Sequence, residues 1–171
     1  GLNSPFDCQI TSNNIHNNTN DGIYINGNGN IVQGNSIRSN GSEGIYVSAG
    51  DHSNITGNII DENTNQGILL VGACLDTVIN SNTIISNTVG IEIPSTSNDC
   101  IVSGNIVSGN SSHGISVASN DCIISTNRSR SNGGDGCLIV TGGTNNTVKT
   151  NRLTGNTGSD FTDGGTTTIK D

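Results

Sequence analysis

Four side chains in the N-terminal third of the chain have types and spacing that could do chemistry together. Asp21-Gly22-Ile23-Tyr24 and Glu43-Gly44-Ile45-Tyr46 repeat one acid-Gly-Ile-Tyr pattern, 22 residues apart. Tyr24 and Tyr46 are the two tyrosines of the chain. Two exposed aromatics beside two carboxylates make a sugar-binding patch. Ring faces pack on pyranose C–H groups, and carboxylates accept hydrogen bonds from hydroxyls. The same residues fit a cross-strand aromatic pair that stabilises a sheet, with Asp21 and Glu43 as turn residues. Catalysis by Asp21 and Glu43 would need carboxyls about 5–5.5 Å apart in a retaining glycosidase, or about 6.5–9.5 Å in an inverting one. Neighbouring strands can supply either spacing.

The other reactive side chains form no comparable group. There are five cysteines without CxxC spacing, and three scattered histidines. No metal site and no cofactor is therefore expected. Cys8, Cys100 and Cys122 fall in one slot of the repeat described next, Cys137 stands in an apolar column, and Cys74 lies in a variable turn. Small buried hydrophobes in a stack is the simpler reading. A stack also brings Cys100 and Cys122 close enough for a disulfide. Arg128 and Arg152 share an outward column and read as a solvated face. Arg38 and Asp61 share another and read as a surface ion pair of small worth.

A repeat positions all of these residues. Asn13, Asn35, Asn58, Asn82, Asn105, Asn127 and Asn151 recur at 22–24 residues, and five positions after each stands a second Asn, from Asn18 to Asn156. Apolar residues keep the same register. Ile10, Val32, Ile55, Ile79, Val102, Ile124 and Val148 precede the first Asn by three. A Gly-apolar-x-apolar unit follows the second Asn in six repeats, starting at Gly22, Gly44, Gly67, Gly90, Gly114 and Gly136. The apolar spacing has period 2, and no segment has the 3.6 period of an amphipathic helix. Parallel strands normally need long crossovers. A coil of 22–24 residues that closes on itself removes that need, stacking like residues roughly 4.8 Å apart. Aliphatic ladders then fill the interior and Asn ladders hold the bends. Asn suits these bends by tolerating left-handed backbone and by bonding amide to amide.

Composition agrees. The 171 residues are 30% hydrophobic and 12% charged, with 24 glycines and neither Met nor Trp. That is too apolar-poor for a compact helical or α/β domain. A solenoid core one or two side chains wide needs less, because each repeat buries its face only against its neighbours. The net charge of −8 argues against nucleic acid. No apolar run approaches the roughly 20 residues of a membrane span.

The Asn-x-Ile, Asn, Gly-Ile-x-Ile pattern resembles the right-handed parallel β-helix of the pectate-lyase-like superfamily, including tailspike, polysaccharide-processing and NosD-like repeats. The resemblance runs from about Cys8 to Asn156. It implies the architecture and leaves open lyase, hydrolase, epimerase, tailspike, adhesin and metal-handling functions. Thr19-Asn20-Asp21 and Ser112-His113-Gly114 resemble polygalacturonase motifs. Those motifs belong on consecutive coils, whereas Asp21 and His113 are four coils apart, roughly 19 Å. No Arg-Ile-Lys follows, so that active site is not assembled.

The expected structure is an all-β, single right-handed parallel β-helix of about seven coils, with three short strands per coil. Residues 1–7 form its N-terminal edge, 8–156 the repeats, and 157–171 an end coil and tail in which 166–169 adds a last strand. Phe6 and Phe161 are read as plugs for the two ends of the core. The chain reads as a piece of a longer protein. The expected role is a non-catalytic extracellular, cell-surface or virion module, a fibre or spike segment that contacts a polysaccharide or surface glycan. The alternatives are part of a polysaccharide lyase, glycoside hydrolase or uronan epimerase, and a purely structural fibre that forms homotrimers or associates end to end.

Overall fold

A computed structural model of the chain describes residues 2–3 and 6–170. The three apolar stretches of each coil become three parallel sheets. The first has eight strands: Leu2–Asn3, Ile23–Asn26, Ile45–Ser48, Ile68–Val71, Ile91–Ile93, Ile115–Val117, Cys137–Ile139 and Phe161–Asp163. The second has eight, from Gln9–Thr11 to Ile169–Lys170, and the third has seven, from Asn14–His16 to Arg152–Thr154. Pairing joins equivalent residues of successive coils, such as Ile45 to Ile68 and Val102 to Ile124. The result is a β-solenoid of about seven turns, with no helix among the described residues.

Period-2 alternation explains which side is inside. Ile45 and Val47 are fully buried while Tyr46 and Ser48 between and after them point outward. Inward residues of all three sheets join in one continuous column of Ile, Val, Leu and Cys. The Gly ahead of each first-sheet strand is a close approach. A Cβ on Gly67 would lie 2.5 Å from Ile84 Cγ2 and 2.7 Å from the Gly90 carbonyl oxygen.

Both Asn ladders form, and both run in one direction. Each side-chain amide donates to the Oδ1 of the Asn one coil on, as from Asn58 to Asn82 at 2.9 Å and from Asn40 to Asn63 at 2.8 Å. The same Oδ1 accepts the backbone N–H of the preceding ladder Asn, at 2.9 Å from Asn58 to Asn82. The second ladder ends on a carboxylate, with Asn156 donating to Asp160 at 2.9 Å.

Three expectations need correction. The ladder asparagines do not carry the left-handed backbone. The residue before each one does, as with Ser81 (φ 56°) before Asn82 and Ser86 (φ 57°) before Asn87. Turning the chain one residue early leaves the Asn extended, so its amide lies along the stacking axis. Phe6 is 69% exposed and plugs nothing. It occupies the turn slot that holds Asn28, Asp51, Asn98 and Asn120 in other coils, outside the core columns. The N-terminal edge also extends further than its repeat pattern implied, because Leu2–Asn3 pairs with Ile25 and Asn26. At the other end Phe161 behaves as expected, packing partly buried against the core beside Cys137. The tail adds the short strand Ile169–Lys170 on Thr147 and Val148, and Lys170 lies 5.5 Å from the Phe161 ring.

Candidate functional site

The first sheet brings the four residues together. Tyr24 and Tyr46 are partners on adjacent strands. Their rings stack with centroids 5.3 Å apart and planes 18° from parallel. In-register pairing forces this, because both side chains leave the same face at one strand spacing. Beside them a surface depression of about 320 Å³ is lined by Asn20, Asp21, Gly22 and Tyr24.

Asp21 and Glu43 stack in the turn that enters these strands. The Glu43 backbone N–H donates to Asp21 Oδ1 at 3.3 Å. Burial, and then the neighbouring Glu43 carboxyl, raises Asp21 above the usual carboxylate value. Burial also pushes Glu43 upward, but the Ser42 hydroxyl, the Asp21 carboxyl, its own backbone N–H and Asn65 together hold it below its ordinary value. Ser42 Oγ donates to Glu43 Oε2, and Asn65 Nδ2 donates to Glu43 Oε1 at 3.5 Å. The two proton affinities are thus pushed in opposite directions, up at Asp21 and down at Glu43. Burial first, then the neighbouring charges of Tyr24, Glu43 and Asp21, raises the Tyr46 phenol above its ordinary value.

Ser42, Asn65 and the pair Gln66–Glu92, bonded at 2.5 Å, were missed by sequence reasoning. Their signal was present. Asn20, Ser42 and Asn65 fill one polar column, one position before Asp21, Glu43 and Gln66.

Asp21 and His113 stay apart, as their coil positions require, and His113 Nδ1 accepts the Asp135 backbone N–H at 3.0 Å. Arg38 and Asp61 are register partners without an ion pair. Burial is the main influence raising the Asp61 carboxyl. All five cysteines are free thiols. Cys74 is fully buried in the column of Gly50, Ser97 and Ser119, where its sulfur accepts the Gly50 N–H at 3.3 Å. Its turn therefore belongs to the regular stack. The proximity of the two thiols pushes Cys122 below and Cys100 above the ordinary thiol value. Burial raises Cys137 to about 12. No helix of the described residues is long and apolar enough to cross a membrane.

Known proteins share this architecture. A family model described as "Right handed beta helix region" matches residues 2–107. A second, described as "Periplasmic copper-binding protein (NosD)", matches residues 69–169. No curated protein sequence matches the chain at a significant level. Among solved structures, the periplasmic alginate epimerase AlgG aligns with TM-score 0.82 at 18% identity, over 97% of this chain and 50% of its own. The A-module of Azotobacter vinelandii mannuronan C-5 epimerase AlgE4 aligns with TM-score 0.80 at 16% identity, over 95% and 55%. The Dettilon tailspike protein gp208 aligns with TM-score 0.79 at 19% identity, over 93% and 38%. The chain thus spans about half or less of the length of these structures. Identities this low show the fold alone.

The copper in the NosD description was tested against the residues present. Among the described residues no three His, Cys, Asp or Glu side chains converge. The Cys100 sulfur is engaged by the carbonyls of Cys74 and Ser97 at 3.2 and 3.3 Å. Cys122 is engaged by Ser119 Oγ at 3.2 Å. Sealed thiols without imidazole or thioether partners do not suit copper. What the two family models recognise is the coil repeat itself, and the chain belongs to the right-handed β-helix families that they describe.

Proposed function

We propose that this chain is a non-catalytic, carbohydrate-contacting β-helix module that works outside the cytoplasm, at a cell surface, in the periplasm or on a virion. The observation that carries this reading is the stacked Tyr24–Tyr46 pair beside the depression formed with Asn20 and Asp21. Tyr24, at the end of that stack and lining the depression, offers ring surface to the C–H face of a pyranose, Tyr46 backs it, and Asn20 and the carboxyls flank it for hydroxyls. The fold neighbours support a carbohydrate setting, since they include alginate and mannuronan epimerases and a tailspike.

Geometry favours binding over hydrolysis. The oxygens of Asp21 and Glu43 are engaged within the fold, Asp21 Oδ1 by the Glu43 backbone N–H at 3.3 Å and the Glu43 carboxyl by Ser42 and Asn65. One observation favours the enzymatic reading nonetheless: the pair has its proton affinities pushed apart, as an acid and a base require.

Glycan-array binding by the wild type, lost in Tyr24→Ala and Tyr46→Ala, supports the module. Release of products from a polysaccharide, lost in Asp21→Asn or Glu43→Gln, replaces it with the enzyme. Filaments or trimers that grow with concentration, with neither binding nor product release, replace it with a structural fibre.

A further inference from the structure

The charges of this molecule are sorted by sheet. All six Lys and Arg residues lie off the first sheet. Arg38, Arg128, Arg130 and Arg152 are in strands of the third sheet, and Lys149 and Lys170 in strands of the second. The first sheet and its entering turns carry Asp21, Glu43, Glu92, Asp135, Asp160 and Asp163 instead. Basic side chains reach these acids only in the later coils, where His113 lies 3.7 Å from Asp135 and Lys170 lies 3.6 Å from Asp163. Among the described residues none pairs with Asp21 or Glu43. The part of the face that presents the tyrosines is thus acidic, with no Lys or Arg beside it.

Resting on the carbohydrate reading of that face, we propose that its ligand is an amino-sugar glycan with free ammonium groups, bound by the Asp21–Glu43 pair and the rings of Tyr24 and Tyr46. Three classes of glycan meet this surface differently. A uronan brings a carboxylate on every residue to a face with no Lys or Arg, and like charges oppose binding. A neutral glycan gains the ring contact but little from Asp21 and Glu43, whose oxygens already accept from the Glu43 N–H, Ser42 and Asn65. An ammonium offers three donors and a full charge, enough to engage both carboxyls at once. It also finds the Tyr24 ring, which lines the depression beside Asp21, a cation–π partner. The ligand supplies the positive charge that the sheet lacks.

The test uses the folded chain and three oligosaccharides in calorimetric titration at low salt and mildly acidic pH: de-N-acetylated glucosamine oligomers, the same oligomers N-acetylated, and oligomannuronate. The expected result is that the de-N-acetylated oligomer binds about tenfold or more tighter than the acetylated one, with oligomannuronate weakest. Added salt should erode that preference. The double variant Asp21→Asn, Glu43→Gln should bind the two glucosamine oligomers alike, with a wild-type circular dichroism spectrum and a cooperative melt showing that it folds. Arg128→Ala, on another sheet, should keep the preference. Equal binding of the two oligomers by the wild type, or tighter binding of oligomannuronate, overturns the charge selection while the carbohydrate reading stands. Binding of none of the three, together with an empty glycan array, overturns both.

Discussion

Replacing Asn82, at the middle of the first ladder, with Ala tests whether the ladders hold the solenoid together. Asn82 is 1% exposed. Its Oδ1 accepts from the Asn58 backbone N–H and from Asn58 Nδ2, both at 2.9 Å. Its Nδ2 donates to the Ile55 carbonyl at 2.9 Å and to Asn105 Oδ1 at 3.0 Å. Ala removes all four. Asn105 Oδ1 keeps the Asn82 backbone N–H, and Asn58 Nδ2 keeps the Val32 carbonyl. The Asn58 backbone N–H loses its ladder acceptor in a site water does not reach. Four buried bonds at about 1 kcal/mol each, with a further penalty of about 1 kcal/mol or more for that donor, give a loss of about 5 kcal/mol. That is a large part of the roughly 5–15 kcal/mol that stabilises an ordinary domain. Guanidinium unfolding followed by circular dichroism reads it, with Asn54→Ala on the outward face of the second sheet as a control expected within about 0.5 kcal/mol. Asn82→Asp sharpens the test. It keeps Oδ1 but turns an acceptor toward the Ile55 carbonyl and Asn105 Oδ1. The introduced carboxyl is then favoured protonated in the fold, so its folded pKa is raised. Stability should be highest at low pH and fall as pH rises through that pKa. A loss below about 1 kcal/mol for Asn82→Ala, or an Asn82→Asp variant equally stable at neutral and acid pH, refutes the reasoning.

Gly67→Ala should cost about 2 kcal/mol or more in denaturant unfolding, because its Cβ would meet Ile84 and the Gly90 carbonyl. Thr126 holds a left-handed backbone at φ 56°, as Gly104 does one coil earlier at φ 65°. Thr126→Gly should therefore raise the unfolding midpoint by about 1 kcal/mol of stability. A thiol reagent on the native protein should modify Cys8 alone, with the fully buried Cys74, Cys100, Cys122 and Cys137 reacting only on unfolding. Asp21 contributes stability that is present at low pH and lost as pH rises through its raised folded pKa. The stability difference between wild type and Asp21→Asn should shift in favour of the wild type as pH falls through that range, and paired thermal melts across pH would show it.

The sequence by itself determined the coil. Seven Asn pairs in register and the paired apolar columns define the strands, their inward faces and the side-by-side placement of Tyr24 and Tyr46, because in-register stacking turns sequence period directly into neighbourhood. The same logic placed Asp21 next to Glu43. What lies at the ends was less legible. Phe6 and Phe161 have the same residue type, yet Phe6 stands in a turn slot and Phe161 in a core column, and an end coil has a neighbour on one side only to enforce its register. The left-handed residue at each bend was misassigned by one position, since hydrogen-bonding tendency and backbone tolerance both favour Asn and only the path of the chain separates them. Tertiary structure alone decided that the Asp21 and Glu43 carboxyls are pushed in opposite directions, how Ser42 and Asn65 contribute to that, and that the Lys and Arg residues all lie off the tyrosine sheet. Such shifts depend on tenths of an ångström and on burial. Neither is written in a repeat period, which fixes which residues meet but not how closely.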